Sequence, residues 1–254
     1  MTDSDLWLNS VLATPALGVR LGAKPSSIFR LPSIIAPFLD ALQERYDEVG
    51  VTSSPAETSL ETGDGFVHKF AREPGGINLV AQFQFSPTEE KSPGSLPTVS
   101  YGRHSFGETL ETVSERMKAM LKAAMALEQS SVRRIGLLVQ AQLTAEQLPR
   151  GAANYRDWLS GPWKKERAEL IHTNCTVTVR WPQKDATKYS DQCHHGLNFD
   201  VEDKTNEISL MLDFQRAWKD GIALSQASSE IELFKKASVA YFQDFAFGER
   251  VWPV

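Results

Sequence analysis

The chain has 254 residues, with 27 lysines and arginines against 32 aspartates and glutamates, so its formal charge at pH 7 is −5. With 41% hydrophobic and 23% charged residues it has ordinary globular composition, which excludes a disordered, collagen-like or disulfide-built chain. The slight acidity provides no broad attraction to nucleic acid or to an anionic membrane, since both select clustered basic surfaces. We therefore expect one globular domain over 1–254 that binds neither.

The segment Met1–Ser10 has aspartates at positions 3 and 5, where a secretory leader carries Lys or Arg, and no apolar stretch follows it. No apolar run approaches the roughly 20 residues of a membrane-spanning helix. The chain has only two cysteines, Cys175 and Cys193, which is not the dense framework of a secreted domain. These features predict a cytoplasmic protein without a membrane anchor.

Hydrophobic periodicity predicts the first elements. A strand is expected over 16–21, followed by a helix that begins near Pro32 and carries one apolar stripe ending before Gly50. Pro37 lies inside this stripe, so we expect a kink or a later start. The segment 51–64 is rich in Ser, Thr and Glu and is typical of a loop or a ragged strand.

The tetrapeptide Glu73-Pro74-Gly75-Gly76 combines a proline-preset φ with two residues that tolerate positive φ, as a tight turn requires. Together with alternating apolar residues on its second side, it predicts an antiparallel hairpin between 65–72 and 77–85. The following segment, 86–97, holds three prolines and is typical of a mobile surface loop.

Two sequences match the capping box that opens helices. Ser105-Phe106-Gly107-Glu108 precedes a long apolar stripe, after a short strand candidate over 98–104. Ser229-Glu230-Ile231-Glu232 precedes a second stripe that runs to Gly248. Between these helices we expect the strongest strand of the chain, over 132–143, and then a short helix near 154–159.

Three further strands are predicted in the second half, over 170–181, 194–202 and 207–215. The residues Asp203-Lys204-Thr205-Asn206 have turn chemistry and indicate a hairpin between the last two strands. If the first two strands pair across their connecting loop, Cys175 is expected opposite Asp200.

These elements predict an α+β fold, with antiparallel sheets built from hairpins and meanders and with long capped helices packed on one face. The halves, 1–130 and 131–254, resemble each other loosely because each pairs a hairpin with a long helix. No residues match at a fixed period, so duplication stays a hypothesis.

Short motifs in this element order resemble a sporadically distributed family of uncharacterised bacterial proteins of about this length. They are Tyr101 ahead of the Ser105 cap, Arg134-Ile135-Gly136-Leu137 in a strand, and Leu212-Asp213-Phe214 in a late strand. The sequence departs from the family at Leu138-Val139, where a polar and aromatic continuation is expected. The resemblance implies the architecture and no activity.

Several catalytic signatures are absent from the sequence. It has no GxxxxGK[ST] phosphate loop, no GxGxxG, no HExxH, no GxSxG elbow and no paired CxxC. The commonest nucleotide-binding and hydrolase interpretations therefore lose their basis. We expect no cofactor, and a non-catalytic role is favoured over an enzymatic one.

The densest group of reactive residues is Cys193-His194-His195, which are all soft or borderline zinc ligands. The expected strand register separates Cys175 from Cys193 by about 20 Å, too far for a shared metal or a disulfide. The alternative is that His195 packs at a strand start and that His194 is solvated. We expect no metal site here.

A second candidate lies around Asp200-Val201-Glu202-Asp203-Lys204, where Glu202 and Lys204 match the acidic-x-Lys pattern of metal-dependent nucleases. Asp213 on the partner strand could supply the further carboxylate, with His194 nearby. The competing interpretation is a hairpin turn, where charged residues are expected anyway.

The C-terminus Val251-Trp252-Pro253-Val254 is apolar, and free apolar termini are usually docked on their own domain or on another subunit. Trp252 and Val254 are therefore candidate binding residues, and Arg134, in the basic cluster Arg133-Arg134, is a further candidate.

The favoured hypothesis is a non-catalytic interaction or accessory subunit that contacts a protein partner or a second copy. The alternatives are the metal-dependent hydrolase or nuclease, and a binder of a small ligand between helix and sheet.

Overall fold

The computed structural model describes residues 12–22, 30–84, 87–90, 98–101, 105–126, 130–160, 172–181, 189–200 and 207–247. These residues form a nine-stranded antiparallel sheet with strand order β2-β3-β4-β5-β1-β8-β11-β10-β9, a separate two-stranded sheet β6-β7, and four helices. The predicted α+β class, with antiparallel strands and helices on the sheet, is confirmed.

The bounds of the elements are as follows. The strands are β1 Leu12–Gly22, β2 Val49–Ser53, β3 Glu57–Thr62, β4 Phe66–Glu73, β5 Gly76–Phe83, β6 Pro87–Glu90, β7 Thr98–Tyr101, β8 Ser131–Thr144, β9 His172–Trp181, β10 Ser190–Asp200 and β11 Glu207–Ala223. The helices are α1 Pro32–Gln43, α2 Phe106–Ala124, α3 Arg150–Ser160 and α4 Leu224–Phe247, with a short 3₁₀ turn at Ala145–Gln147.

The chain divides into two compact units. The N-terminal unit comprises 14–134 and 220–228, and the C-terminal unit comprises 1–13, 135–219 and 229–254. Apart from a few terminal residues, β1 to β5, α1 and α2 belong to the first unit. The elements β8 to β11, α3 and α4 belong in the same way to the second.

In the N-terminal unit, the predicted hairpin is present as β4 and β5, with Phe66 opposite Phe83 and Gly75 at φ +76° in the turn. A positive φ suits glycine because a Cβ would meet steric strain there. Alternate residues of β1, β4 and β5 point to one face and form the core with apolar residues of α1 and α2. They include Leu17, Phe38, Phe70, Leu79 and Met117.

The helix α2 begins at the predicted cap. The Ser105 hydroxyl accepts a hydrogen bond from the Glu108 amide at 3.2 Å. The helix α1 begins at Pro32, a favoured first position, and runs on through the exposed Pro37 to Gln43. The predicted start near Pro32 is confirmed.

In the C-terminal unit, the apolar side of the β8 alternation is buried as predicted: Ile135, Leu137, Val139, Ala141 and Leu143. The helix α4 contributes Phe234, Tyr241 and Phe242, whose rings lie 5.5–6.5 Å from that of Phe214 on β11. The helix α3 approaches α4 closely at Gly151, where a Cβ would overlap the carbonyl oxygen of Phe245.

The two units have a similar order of elements. In the first, β1 and α1 precede the antiparallel strands β2 to β5, and the paired strands β6 and β7 come before α2. In the second, β8 and α3 precede β9 to β11, and α4 follows. In each unit the first strand lies beside the last strand of the meander, which makes β1 the neighbour of β5 and β8 the neighbour of β11.

Of the two alternatives for the segment 51–64, the ragged strand is the one observed: the segment contributes to β2, whose side chains are mostly exposed, and to β3, in which Leu60 and Thr62 are buried. Two other sequence predictions are corrected. Within the predicted loop 86–97, Pro87–Glu90 is a strand paired with Thr98–Tyr101. The helix α4 begins at Leu224, directly after β11, so Ser229 lies inside it rather than at its start.

The register between β9 and β10 also differs from the prediction. Cys175 lies opposite Leu197 and not Asp200, because β10 begins at Ser190 and pairs further toward its N-terminus than its apolar pattern indicates. No helix in the described part of the chain is long and apolar enough to cross a membrane.

Candidate functional site: a polar row on three strands

Strand alternation gives β9, β10 and β11 two different faces. Cys193 and His195 on β10 and Phe214 on β11 lie on the face that α3 and α4 contact, and all three are buried. Their neighbours along the strands point the opposite way. We call this second face the polar face and define it by Thr178, Arg180, Gln192, His194, Asp213 and Gln215.

The register brings these side chains together. Thr178 lies opposite His194, His194 opposite Asp213, and Gln192 opposite both Arg180 and Gln215. Side chains directly opposite each other on antiparallel strands are about 5 Å apart at Cβ, close enough for polar groups to bond across strands. Six polar residues are therefore packed into a patch only three strands wide.

A chain of hydrogen bonds links the polar face. Arg180 donates to the Gln192 side-chain oxygen at 3.4 Å, and the Gln192 amide donates to the Gln215 oxygen at 3.2 Å. The Gln215 amide donates to Asp213 Oδ2 at 2.5 Å. On the other side, His194 Nε2 lies 3.3 Å from the Gln192 amide, and His194 Nδ1 lies 2.7 Å from the Thr178 hydroxyl.

These bonds are consistent with one arrangement of protons. The Gln192 oxygen accepts from Arg180, so its amide nitrogen is the group that faces His194 and must donate to Nε2. The remaining imidazole proton is then on Nδ1 and is donated to Thr178. The row thus fixes the orientation of the His194 ring between Gln192 and Thr178.

Gly136 on β8 lies beside Asp213 and Gln215 of this row. A Cβ at Gly136 would be 3.6 Å from Gln215 Cγ and 3.8 Å from Asp213 Oδ1, so the glycine leaves the space next to the carboxylate open. The two strand motifs singled out in the sequence, Arg134–Leu137 and Leu212–Phe214, therefore meet at Gly136 and Asp213.

The three metal candidates do not converge. His194 lies on the polar face, whereas Cys193 and His195 lie on the opposite, helix-covered face. His195 Nε2 is 2.8 Å from the Tyr241 hydroxyl, and its ring stacks on Phe245 at 4.6 Å. Burial, with the charge of Asp213 second, raises the pKa of the Cys193 thiol, so this sulfur stays protonated. Both cysteines are free.

Of the predicted hydrolase residues, Asp213 lies in the polar row opposite His194. Glu202 and Lys204 lie outside the described residues, as do the binding candidates Trp252 and Val254. Arg134, the third binding candidate, is half-buried on β8.

Sequence reasoning missed a buried ion pair. Arg216 on β11 makes two 2.8 Å hydrogen bonds to Asp191 on β10, and its guanidinium lies 3.9 Å from the centre of the Tyr189 ring. Burial lowers the pKa of Arg216, but the hydrogen bond and charge of Asp191 outweigh it and raise that pKa overall. The sequence did contain a signal for this ion pair: Arg216 continues the alternation of Leu210, Leu212 and Phe214, which places it on the buried face of β11.

It also missed a polar cluster in the N-terminal unit. Arg116 on α2 pairs with Asp64 at 2.5 Å, donates to Thr62 at 3.0 Å and to the Tyr46 hydroxyl, and lies 3.5 Å from His68 Nε2. Its guanidinium lies 4.4 Å from the centre of the Phe66 ring. The cluster ties α2 to the β3–β4 hairpin, and each of these contacts is internal to the unit.

Comparisons with known proteins assign no family. No protein-family model and no curated protein matches the chain. Among solved structures, it is similar to the rolling circle replication initiator protein from Geobacillus stearothermophilus. That likeness has 6% identity and a TM-score of 0.27, over 89% of this chain and 80% of the other. A likeness this distant carries no argument about function.

Proposed function

We propose that this protein is a non-catalytic interaction subunit that contacts another protein through the polar face. The supporting observation is the hydrogen-bonded row from Arg180 through Gln192 and Gln215 to Asp213. Side chains already held in place lose little conformational freedom when a partner orders them.

The chemistry of the row favours a protein partner over a polyanion. It holds one cation, Arg180, one carboxylate, Asp213, and otherwise amide, imidazole and hydroxyl groups. Such a surface complements the backbone and amide groups of another protein, whereas nucleic acid and anionic lipid select many cations. The proposal includes a cytoplasmic location, which the two free thiols suit, and requires no cofactor.

The test compares two glutamine variants. Gln192→Ala removes the residue that joins Arg180, His194 and Gln215, so it should lower the affinity for the partner about tenfold or more, as at an interface hot spot. Gln82→Ala is the matched control, since Gln82 is a half-buried strand glutamine in the N-terminal unit. The measurement is the molar ratio of partner to chain after purification of each variant from the native host.

We expect the wild-type chain and Gln82→Ala to retain the partner at one fixed ratio and Gln192→Ala to lose it. Equal retention by both variants would show that the contact lies elsewhere on the protein. Thermal unfolding of both variants provides the control for folding.

A second candidate function is a metal-dependent hydrolase or nuclease. One observation favours it: Asp213 and His194 lie directly opposite each other on neighbouring strands. Each of them is also hydrogen-bonded to a neighbour, Asp213 to Gln215 and His194 to Thr178. A stoichiometric divalent metal on the chain that is lost in Asp213→Asn would favour this candidate over the interaction subunit.

A further inference from the structure

Gly136 lies inside β8, where glycine is an unfavourable residue. Glycine loses more conformational freedom on folding than any other residue, and in a strand it has no side chain to pack. Within the described residues, the glycines with a positive φ are Gly65, Gly75 and Gly221. The backbone of Gly136 therefore has a conformation that any residue adopts, and it does not require glycine.

Packing within the chain does not require glycine at this position either. A Cβ there would lie 3.6 Å from Gln215 Cγ, 3.8 Å from Asp213 Oδ1 and 3.9 Å from the Phe214 carbonyl oxygen, its nearest neighbours among the described atoms. Atoms in ordinary van der Waals contact are about 3.5–4.0 Å apart. An alanine would therefore fit beside β11 without displacing it.

Two other strand glycines show the difference. A Cβ at Gly76 would overlap the Leu21 carbonyl oxygen, and a Cβ at Gly196 would lie 3.0 Å from the Met211 side chain. Both of these glycines have a steric reason within the chain. Gly136 has neither a steric nor a conformational reason. A glycine inside a strand often marks a place where another group approaches the backbone closely.

The charged group beside Gly136 is the Asp213 carboxylate. Its Oδ2 accepts a hydrogen bond from the Gln215 amide at 2.5 Å, whereas its Oδ1 is the oxygen next to the glycine. An ionised carboxylate has about four acceptor positions, and the bond from Gln215 occupies one of them. The charged N–H groups of lysine and arginine make the strongest hydrogen bonds to such an oxygen. The cation of the row, Arg180, is bonded to Gln192 two strands away.

We propose that the partner protein places a lysine or arginine side chain beside Gly136, where it donates a hydrogen bond to Asp213 Oδ1. This inference rests on the proposed function and names the chemistry of the partner at that site. Charge complementarity supports it, because the site offers a carboxylate and the whole chain has a formal charge of −5. Gly136 is then a specificity-determining residue, since a methyl group there would occupy the space that the cation needs.

The first test adds that methyl group. Gly136→Ala should raise the dissociation constant of the complex about tenfold, as at an interface hot spot, while the thermal stability of the chain stays equal or rises. Gly50→Ala is the matched control, because Gly50 is an exposed strand glycine of the N-terminal unit whose Cβ would lie 3.7 Å from Glu61 Cβ. A glycine required only by the fold would instead lower the stability when replaced.

The second test removes the charge. Asp213→Asn keeps the shape of the side chain and an oxygen that accepts from Gln215, so it should raise the dissociation constant about tenfold and weaken its dependence on NaCl. Glu61→Gln is the matched control, since it removes one exposed carboxylate of the N-terminal unit.

The probe is the protein that the wild-type chain retains from its own host, identified by mass spectrometry and purified. Its dissociation constant is measured with the full chain and the four variants at low and high NaCl concentration. Weaker binding by Gly136→Ala and Asp213→Asn alone supports the proposal. Unchanged binding by either of these two variants overturns it, as does a Gly136→Ala chain that loses stability together with binding.

The two proposals fail separately in this experiment. If Gly136→Ala or Asp213→Asn binds normally and Gln192→Ala still releases the partner, the basic side chain is excluded and the proposed function stands. If the wild-type chain retains no protein at a fixed ratio, both proposals are overturned.

Discussion

His68 is a histidine without exposed surface in the core of the N-terminal unit. Its Nδ1 lies 3.2 Å from the Leu60 carbonyl oxygen, and its Nε2 faces the Arg116 guanidinium. Burial, with the charge of Arg116 second, lowers the pKa of His68 to about 4, although the Leu60 carbonyl and Asp64 act in the opposite direction. The folded protein therefore holds this imidazole neutral.

This pKa predicts loss of stability in mild acid. Between the ordinary pKa of 6.5 and about 4, the unfolded chain binds a proton that the folded chain does not, so the free energy of unfolding falls as pH falls through this range. The full loss is about 3 kcal/mol, from roughly 1.4 kcal/mol for each pKa unit.

The measurement is urea unfolding of the wild type and of His68→Gln from pH 7 to pH 4. Glutamine keeps a donor for Leu60 and an acceptor for Arg116 without titrating, so the difference in unfolding free energy between the two proteins should be constant near pH 7 and shift in favour of the variant below pH 6.5. A difference that stays constant down to pH 4 would mean that His68 has the same pKa in the folded and in the unfolded chain, which would contradict this prediction.

At the scale of elements, the two capping-box sequences have different roles. Ser105 caps α2, whereas Ser229 lies inside α4, which begins at Leu224. Ser105→Ala should therefore lower the free energy of unfolding by about 1 kcal/mol, the usual cost of losing an N-cap. Ser229→Ala should cost less than half as much, since alanine is the best helix former. Thermal unfolding of the two variants decides this, and equal losses would contradict the assigned helix start.

The elements that the sequence predicts best are those with a clear alternation or stripe. The hairpin β4–β5 and the strand β8 have one apolar side that must be buried, so their faces follow from the sequence alone. The segment 51–64 was predicted only as a loop or a ragged strand, because β2 is an edge strand with exposed side chains and neither β2 nor β3 has a clear apolar period. The start of α4 was predicted wrongly because β11 continues directly into the helix. The capping sequence at Ser229 therefore lies inside α4 and does not mark its start.

The polar face shows where sequence reasoning about the site ends. His194 and Asp213 were both singled out, but the partners Gln192, Gln215 and Thr178 carry no motif. Their proximity depends on the β9–β10–β11 register, and a register error of three residues exchanges the two faces of a strand. The pairing of Cys175 with Leu197 therefore could not follow from the apolar pattern of β10 alone.

At the scale of the whole molecule, each unit has a strand and a helix, then an antiparallel meander and a last helix, and the N-terminal unit has β6 and β7 before its last helix. In the C-terminal unit α3 and α4 contact one face of the strands, while the other face bears the polar row. We propose that this polar face binds a protein partner.

The most direct test of this claim is native mass spectrometry of the untagged protein purified from its own host. We expect a second protein bound at a fixed ratio and no bound metal. A lone chain that carries one divalent metal ion would contradict the proposed function and direct attention to Asp213 and His194 as metal ligands.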